Sequence, residues 1–470
     1  MFLDEVVSFI TLHVVTIVTF FLSFITIAHM LLSRKKPPYM IAWLVSIIFL
    51  PYIGILLYVI FNARKIPKNV LKKKRINLKE VCEGEGGCGC ENESEIEKLL
   101  KQLSIASASS NNHFYLCKDS KDAYENIIKL LKEAKESIYI TTYIFGNDEI
   151  TKTILDILIQ KVKEGVRVKL LIDSFGSFLL ELFPYSLKRF KNAGGEYRFF
   201  MSVLKHPFKN RFNCRNHRKM IIIDLEVVVS GGINISNDYL SSNPNSTSWL
   251  DIAFIIKGDA AFYYGEIFWY DWQSQSEKQE DITIKSKNYN YHQSRVQVVP
   301  SGPDVSADAL YESILYALFL AKKRVWIVTP YFVPDGALMD ALIIAKHRGL
   351  DIKIVLPKKS DQFLADISRS GFLRDLQKEK IDILLYKPKM LHAKAMIIDE
   401  NLALVGSSNF DARSFFYNFE IMSFLYTKKD ILSVSEWIEN IFDECEVGLK
   451  AASKVRIMFE NFFKMLSPAL

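Results

Sequence analysis

Two stretches of the sequence carry the same reactive side chains in the same order. Each contains a His, a Lys two residues later, an Asp five residues after the Lys, then a turn of small residues and an Asn. Because packing alone does not demand two copies with equal offsets, we interpret both stretches as parts of a catalytic site. The members are His217, Lys219, Asp224, Gly231, Gly232 and Asn234 in the first stretch, and His392, Lys394, Asp399, Gly406, Ser407 and Asn409 in the second.

These side-chain types favour chemistry at a phosphodiester. Lys ammonium and Asn amide groups are donors suited to the nonbridging oxygens of a phosphate. One His can attack phosphorus and form a phosphohistidine, while the other protonates the leaving alkoxide and later takes a proton from the incoming hydroxyl. The two imidazoles must then titrate as a coupled pair. A Lys beside each His would repel a cation, so neither a metal nor a cofactor is predicted.

The period of a β-strand sorts these residues by face. Residues two apart on a strand share a face, so His217 and Lys219 are expected to point the same way, and the second pair likewise. The residues that follow each Lys are apolar and predict a buried strand. Asp224 and Asp399 have the opposite parity, and we expect them to fix the following turn rather than to touch substrate.

A carboxylate follows each stretch. Asp251 stands two residues after Trp249, and Glu420 stands two residues after Asn418. A carboxylate that accepts the Nδ1 proton of an imidazole fixes the tautomer and leaves Nε2 free to react. We therefore predict that Asp251 and Glu420 each orient one histidine.

The two stretches end two similar α/β patterns. In each pattern an apolar strand is followed by a helix, a glycine (Gly165 or Gly349) and a second apolar strand. The duplication is too long for a solenoid repeat. It predicts an α/β fold of two halves related by a pseudo-twofold axis, at residues 111–275 and 292–450, with a linker near 274–291.

Two uncharged, apolar stretches begin the sequence, at residues 6–33 and 40–62. Crossing the hydrocarbon takes about 20 residues, so they predict a membrane anchor of two transmembrane helices over residues 1–64. Pro51 and Gly54 interrupt the second stretch, and a shallow re-entrant segment is the alternative. A cleaved signal peptide does not fit, because the leader is acidic and the first stretch is too long.

The basic residues around these stretches give opposing indications of orientation. Three basic residues lie at 34–36, and eight lie between residues 64 and 79. The larger cluster places the main domain on the cytoplasmic side of the cell membrane, whereas the first stretch alone indicates the reverse. We follow the larger cluster.

The remaining composition bounds the function. A formal net charge of +7 on 470 residues is below the strong basic excess of a dedicated nucleic-acid binder and suits binding to an anionic lipid surface at least as well. Residues 65–110, basic and then rich in Gly, Glu and Ser, predict a linker, and its segment 82–94 is expected to be mobile. Its cysteines at 82, 88 and 90 lack the second ligand pair of a zinc site, and the scattered cysteines elsewhere favour a reducing compartment. Residues 451–470 predict an amphipathic helix that docks on the core or lies in the membrane interface.

The sequence resembles the phospholipase D superfamily and, more narrowly, the bacterial cardiolipin synthases. The resemblance rests on the two catalytic stretches and the apolar N-terminal pair, and it covers nearly the whole chain. The Cys-rich linker departs from it. Shorter matching pieces are RNHRK around His217, SGP at 301–303, TPYFVPD at 329–335 and the closing SPAL.

The resemblance implies transfer of a phosphatidyl group from one phosphatidylglycerol to another, with release of glycerol. It implies that one histidine is the nucleophile, which we expect to be His217, and the other the general acid and base. Phosphatidylglycerol and cardiolipin in the membrane are the implied partners, and no nucleic acid is expected. Alternatives are a hydrolase that uses water, a transferase with another alcohol acceptor, a phospholipase D-like nuclease and a catalytically inactive membrane scaffold.

Overall fold

The computed structural model describes residues 2–32, 37–61, 93–204, 214–243, 247–276, 291–305 and 307–466. The cysteines at 82, 88 and 90, the middle of the predicted 274–291 linker and the closing SPAL lie outside the described residues.

The apolar N-terminal part forms helices α1 (Phe2–Leu32), α2 (Pro37–Phe49) and α3 (Pro51–Phe61). Within the described residues, the segment His13–Leu32 is the one helical stretch long and apolar enough to cross a membrane. The second apolar stretch forms two short helices in place of one spanning helix, with the interruption at the position that Pro51 indicated. Pro51 lacks an N–H and its ring clashes with the preceding turn, so the helix breaks at Leu50.

The end of the predicted linker is also structured. Helix α4 (Glu95–Gln102) begins with a capping box, in which Ser94 and Glu97 bond to each other's backbone N–H. Ile96 and Leu100, one turn apart, are buried in the core of the second half. These two apolar contacts fix helix α4 at the C-terminal end of the predicted linker, just after the segment 82–94 that is expected to be mobile.

The first half runs from the end of α4 through a strand-rich unit that contains the first catalytic stretch. Its elements are β1 (Ser109–Leu116), α5 (Ser120–Glu133), β2 (Ser137–Thr142), α6 (Glu149–Lys163), β3 (Arg167–Asp173), α7 (Phe178–Leu182), α8 (Tyr185–Asn192), β4 (Glu196–Phe200), β5 (Met220–Ile223), β6 (Val227–Gly231), β7 (Ala253–Gly258) and α9 (Asp259–Ser274).

The second half repeats this order with small additions. Its elements are β8 (Ser294–Ser301), α10 (Ala309–Leu320), β9 (Arg324–Val328), β10 (Phe332–Val333), α11 (Gly336–His347), β11 (Asp351–Pro357), α12 (Phe363–Lys378), β12 (Asp382–Tyr386), β13 (Ala395–Ile398), β14 (Leu402–Gly406), β15 (Phe410–Asp411), α13 (Ala412–Phe416), β16 (Glu420–Leu425), α14 (Lys428–Phe442), β17 (Cys445–Val447) and α15 (Lys454–Leu466).

The main sheet is symmetric about its central antiparallel pair, β1 and β8. Outward from that pair, the first half runs β7, β6, β5, β2, β3, β4, and the second runs β16, β14, β13, β9, β11, β12, with β17 added at the edge. Equivalent strands therefore occupy equivalent places. This confirms the predicted α/β fold of two pseudo-twofold-related halves.

The inner faces of the two halves share one core, which places the catalytic stretches together. Tyr139 and Phe254 of the first half and Trp326 and Ile397 of the second are buried in the same cluster, with residues of α9 and α14. Residues of α5, α6 and α8 pack on the outer face of the first half, and those of α10, α11 and α12 on that of the second. Burial of β5 and β13 on both faces explains their unbroken apolar sequences.

The C-terminal helix α15 packs on α12, but through its polar side. Glu460 is buried, and its carboxylate accepts hydrogen bonds from Nε of Arg374 at 2.6 Å and from Nε of Arg456 at 2.9 Å. The apolar side chains of Val455, Met458 and other residues of α15 remain more than half exposed. Helix α15 therefore docks on the core, which was one of its two expected positions. Ion pairs at Glu460, and not the apolar face of the helix, hold it there.

Candidate active site

The two motif histidines stand just before β5 and β13, and their backbones pair with the opposite half. The N–H of His217 donates to the carbonyl of Phe419 at 2.9 Å, and the N–H of His392 donates to the carbonyl of Leu250 at 2.7 Å. Phe419 and Leu250 each immediately precede a predicted orienting carboxylate. The fold thus delivers each carboxylate to the histidine of the other half.

The side chains complete this exchange. Nδ1 of His217 lies 3.0 Å from Oε2 of Glu420, and Nδ1 of His392 lies 2.7 Å from Oδ2 of Asp251. With the proton on Nδ1, each imidazole donates to its carboxylate and presents the lone pair of Nε2. The geometry agrees with one carboxylate per histidine, and the pairing crosses between the halves.

The small-residue turns hold the carboxylates in two different ways. Oγ of Ser407 lies 2.5 Å from Oε2 of Glu420 and donates to it. At the equivalent position of the first half stands Gly232, where a Cβ would lie 2.1 Å from Oδ1 of Asp251. One turn therefore supplies a donor, and the other supplies room that only glycine leaves.

The motif lysines are buried beside the histidines, but each pair lies in the segment just before β5 or β13 and not on the strand where it was expected. Nζ of Lys219 donates to the carbonyl of His217 at 2.9 Å. Nζ of Lys394 donates to the carbonyl of His392 and lies 2.7 Å from Nδ1 and 3.0 Å from Nε2 of the same ring. Lys219 is 2% exposed and Lys394 0%. Both ammonium groups are available at the imidazoles with little water around them.

Burial shifts the titration of these four groups downward. It lowers the pKa of each histidine to about 4, that of Lys219 to about 7 and that of Lys394 to about 8. Repulsion across the halves adds to the shift, because Lys394 lowers the pKa of His217 and Lys219 lowers that of His392. The two catalytic stretches therefore form one electrostatic site.

The two carboxylates stay ionised in this setting. Burial alone would raise their pKa values, but the adjacent histidine and lysine side chains outweigh it, and the pKa of both Glu420 and Asp251 lies below its usual range. An ionised carboxylate can hold the Nδ1 proton and stabilise an imidazolium.

Aromatic rings pack against both imidazoles, and sequence reasoning did not identify them. The ring of Tyr143 meets that of His217 edge-on at a centroid distance of 5.1 Å. Tyr239 and Trp249 pack on His392 at 5.0 and 5.4 Å. The repeat did carry a signal, since Tyr143 and Tyr331 occupy equivalent positions after β2 and β9. These rings exclude water and hold the imidazoles in place.

The motif aspartates, although part of the stretches predicted to be catalytic, are engaged elsewhere. Asp224 accepts the backbone N–H groups of residues 135–137 at 2.7 to 2.9 Å. Asp399 accepts those of residues 322–324 at 2.8 to 3.0 Å. Both have a φ of 53°, a turn conformation. They fix the starts of β2 and β9, which corrects their grouping with the catalytic residues.

The motif asparagines differ from each other. Oδ1 of Asn234 accepts the N–H of Ile144 at 3.1 Å, and the side chain also bonds to Tyr239. Oδ1 of Asn409 is buried and finds no partner among the described residues. Asn234 is thus partly committed to the fold, whereas the amide oxygen of Asn409 keeps an unused capacity to accept a hydrogen bond.

A family model described as "Cardiolipin synthase, PLD-like domain" matches residues 127–272 and 314–445, one match in each half. The chain belongs to the cardiolipin synthase family. Its members are phosphatidyltransferases of the phospholipase D superfamily, and this chain is such an enzyme. A second model, "Phospholipase_D-nuclease N-terminal", matches residues 21–61, which together with α1 indicates association with a membrane.

Relatives within the cardiolipin synthase family match almost end to end. The cardiolipin synthase of Clostridium perfringens strain SM101 is 31% identical over 458 residues, covering 93% of this chain and 96% of that protein. The major cardiolipin synthase of Bacillus subtilis strain 168 is 29% identical, covering 91% of this chain and 93% of that protein. Phosphatidylserine synthase of Haemophilus influenzae Rd KW20 shares the fold, with a TM-score of 0.57 at 16% identity over 80% of this chain and 98% of that protein.

Buried arginines support the first catalytic stretch of this family member and have no counterpart in the second. Arg218 bonds to Asp271 at 2.6 Å and to Asp304 at 3.1 Å, and Nε of Arg215 lies 3.3 Å from Asp173. The positions equivalent to Arg215 and Arg218 in the second stretch are Met390 and Ala393. Sequence reasoning missed this asymmetry.

The described residues contain no group of three or more His, Cys, Asp or Glu side chains arranged to hold a metal ion.

Proposed function

We propose that this chain is a cardiolipin synthase that transfers a phosphatidyl group from one phosphatidylglycerol to a second and releases glycerol. The observation that carries the proposal is the reciprocal pairing of two histidines with two carboxylates across the halves. Two imidazoles with the same tautomer at one site suit a double displacement at phosphorus, which conserves the phosphodiester. The matching relatives, named cardiolipin synthases, support the choice of substrate.

In the first displacement, Nε2 of His217 attacks phosphorus and the bond from phosphorus to the glycerol oxygen breaks. His392, in its protonated form, gives its proton to that oxygen, and glycerol leaves. The resulting phosphohistidine is stabilised by Glu420, which accepts the Nδ1 proton.

In the second displacement, the terminal glycerol hydroxyl of another phosphatidylglycerol enters. His392, now neutral, removes the hydroxyl proton as the oxygen attacks phosphorus. The bond from phosphorus to Nε2 of His217 breaks, cardiolipin forms, and both histidines return to their starting protonation states. Asp251 holds the ring of His392 in its orientation in both the neutral and the protonated form.

The contacts of the two imidazoles support His217 as the nucleophile. Its Nε2 accepts no hydrogen bond from the part of the chain that the structure describes, so its lone pair is free. The ring of His392 instead has the Lys394 ammonium beside it, 2.7 Å from Nδ1 and 3.0 Å from Nε2. A cation beside the ring makes Nε2 a weaker nucleophile, so we assign proton transfer to His392.

The negative charge of the substrate is bound by donors at the site and shifts the pKa values of the groups around it. Lys219, Lys394 and the amide of Asn409 are the proposed donors to the nonbridging phosphate oxygens, and Asn234 assists through its remaining donor. A bound phosphodiester anion raises the depressed pKa values of His392 and of both lysines, because an opposite charge favours the protonated forms. Substrate binding thereby favours the protonated form of His392, which donates its proton in the first displacement.

We propose a domain arrangement to go with this function. We assign residues 1–64 to a membrane anchor, the catalytic halves to 111–275 and 292–450, and 451–470 to a C-terminal amphipathic segment. The larger basic cluster near the anchor places the catalytic halves on the cytoplasmic side.

The deciding experiment is product analysis. The full chain in detergent micelles is incubated with phosphatidylglycerol alone, and lipid and water-soluble products are measured together. Equal amounts of cardiolipin and glycerol are expected. Phosphatidic acid as the sole lipid product would identify a hydrolase instead. His217→Ala and His392→Ala proteins serve as inactive controls.

The covalent step is tested with phosphatidylglycerol labelled at phosphorus. His392→Ala protein is expected to accumulate label slowly in an acid-labile form, because His217 can still attack without the general acid, whereas no general base remains to activate the acceptor hydroxyl. His217→Ala protein is expected to retain none. The reverse pattern would exchange the roles of the two histidines.

A further inference from the structure

The second apolar stretch reverses direction at its centre. The rings of Trp43 and Tyr58 lie 5.6 Å apart, whereas one continuous helix would separate these residues by about 22 Å. A Cβ on Gly54 would lie 2.5 Å from the carbonyl oxygen of Ser46, so the backbones of α2 and α3 touch. The two helices are the arms of a tight hairpin.

Neither arm is long enough to cross a membrane. Helix α2 has 13 residues and α3 has 11, which correspond to about 20 Å and about 17 Å. The hydrocarbon core of a bilayer is about 30 Å thick. A hairpin of this size reaches little beyond the bilayer centre.

The hairpin packs along the C-terminal half of α1. Thr26 and Met30 are buried there, and Nδ1 of His29 lies 2.8 Å from the hydroxyl of Tyr58. In the N-terminal half of α1, side chains such as Val14 and Ile17 are more than half exposed. The hairpin therefore flanks only the C-terminal part of α1.

The outer surface of the hairpin is apolar, including its tip. Phe49 is 76% exposed, and Leu50 and Ile53 are more than half exposed. No Asp, Glu, Lys or Arg occurs in either arm. Such a surface is stable in hydrocarbon and not in water, so the hairpin lies within the bilayer rather than on its surface.

We propose that α1 crosses the membrane once and that the α2–α3 hairpin enters and leaves the bilayer through the face where α1 ends. The basic residues at 34–36 and those between 64 and 79 then lie on one face, and the acidic pair Asp4 and Glu5 lies on the other. A second crossing would put the two basic clusters on opposite faces, against the positive-inside rule. The hairpin removes the conflict between the two orientation signals.

The proposal fixes the side on which the active site works. With both clusters cytoplasmic, the catalytic halves take phosphatidylglycerol from the inner leaflet, and the N-terminus lies outside. This placement rests on the hairpin and not on the reaction, so it stands whether the enzyme is a synthase or a hydrolase.

The test is a labelling experiment on the full chain in protoplasts with a membrane-impermeant maleimide. Three proteins each carry one reporter cysteine: Asp4→Cys, Lys36→Cys, and the natural Cys88. Serine replaces Cys82, Cys90 and Cys445 in all three, and Cys88 where it is not the reporter. Buried Cys117 and Cys214 remain as a common background. Removing one basic residue at Lys36 biases the test against the proposal.

Asp4→Cys is expected to react in intact protoplasts, and Lys36→Cys and Cys88 only after the membrane is opened with detergent. Protection of Lys36→Cys and Cys88 on opposite faces would establish a second crossing and overturn the hairpin. Reaction of all three on one face would show that α1 does not cross, and would overturn the proposal as well. A normal cardiolipin yield from each protein shows that it is folded, and the labelling pattern is read independently of that yield.

Discussion

Glu420, in the second half of the chain, lies 3.0 Å from Nδ1 of His217 in the first half, and Asp251 and His392 repeat the relationship in the opposite direction. Each half therefore contains one histidine and the carboxylate for the other. Neither half by itself holds an oriented imidazole, so a single half is not a smaller version of the enzyme. A complete catalytic site therefore requires both halves together.

Glu420→Gln and Asp251→Asn should each reduce kcat by about 10²- to 10⁴-fold, because an amide fixes the imidazole less well and stabilises its charged form poorly. The measurement is the rate of cardiolipin formation, with circular dichroism to verify the fold. The loss should fall on kcat more than on KM, since neither carboxylate is proposed to touch phosphate. Glu400→Gln, at an exposed position of the second half, is the matched control and should be unchanged. Full activity in both carboxylate variants would contradict the pairing.

The two histidines should behave as one unit. His217→Ala and His392→Ala should each lower turnover by several orders of magnitude, and the double variant should be hardly worse than either, because losing one partner already disables the displacement. Steady-state rates of the three proteins provide the comparison. Strictly multiplicative losses would argue that the two imidazoles act at separate sites.

Chelators should leave the rate unchanged. The proposed charge stabilisation comes from two lysines and an asparagine, and a cation beside either lysine would be repelled. Cardiolipin formation is measured before and after dialysis against EDTA, with Mg²⁺, Ca²⁺ or Zn²⁺ added back. A loss restored by one of these ions would show that the displacement needs a metal.

Much of this site could be predicted because its signals are local. Equal offsets revealed the duplication, and the spacing of two residues predicted that each Lys lies beside its His, although both residues precede the strand. Parity likewise separated Asp224 and Asp399 from the reacting groups. These inferences need only the two-residue period of a strand and the apolar sequence that keeps it buried.

The crossing of the carboxylates could not be predicted, because a pseudo-twofold axis allows each carboxylate to face either histidine. The arginines near His217 present a similar limit. Arginines beside a catalytic histidine suggest contacts with phosphate. Arg218, however, is buried and forms ion pairs with Asp271 and Asp304, which are distant in sequence. At the N-terminus, Pro51 and Gly54 indicated a break, but hydropathy could not show that the chain folds back there.

The pH dependence should appear in KM. Burial lowers the pKa of Lys219 to about 7 and that of Lys394 to about 8, so both are charged below these values and lose charge as pH rises through them. Phosphate binds the charged forms, and KM for phosphatidylglycerol should therefore rise above about pH 7. The value of kcat should change less, since bound phosphate restores the protons. Lys219→Met should have a high KM with a weaker pH dependence, and a flat profile in the natural enzyme would contradict this assignment.

The last prediction separates scaffold from chemistry within the same motif. Asp399→Ala leaves three backbone N–H groups at the start of β9 without their acceptor, and Asp224→Ala does the same at β2. Each change should lower the free energy of unfolding by about 1–3 kcal/mol. The larger cost is expected at Asp399, which is 7% exposed, because water can reach Asp224 more easily.

Thermal unfolding in detergent measures the loss of stability. The kcat for cardiolipin formation, measured at low temperature where the protein is folded, reports the effect on catalysis. We expect a lower Tm with kcat within about twofold of the natural enzyme, the opposite of the pattern for the histidine variants. Asp→Asn at the same positions should recover part of the Tm, because the amide oxygen still accepts and asparagine tolerates the φ of 53°. A kcat loss as large as that of His217→Ala, without a change in Tm, would return these aspartates to the catalytic machinery.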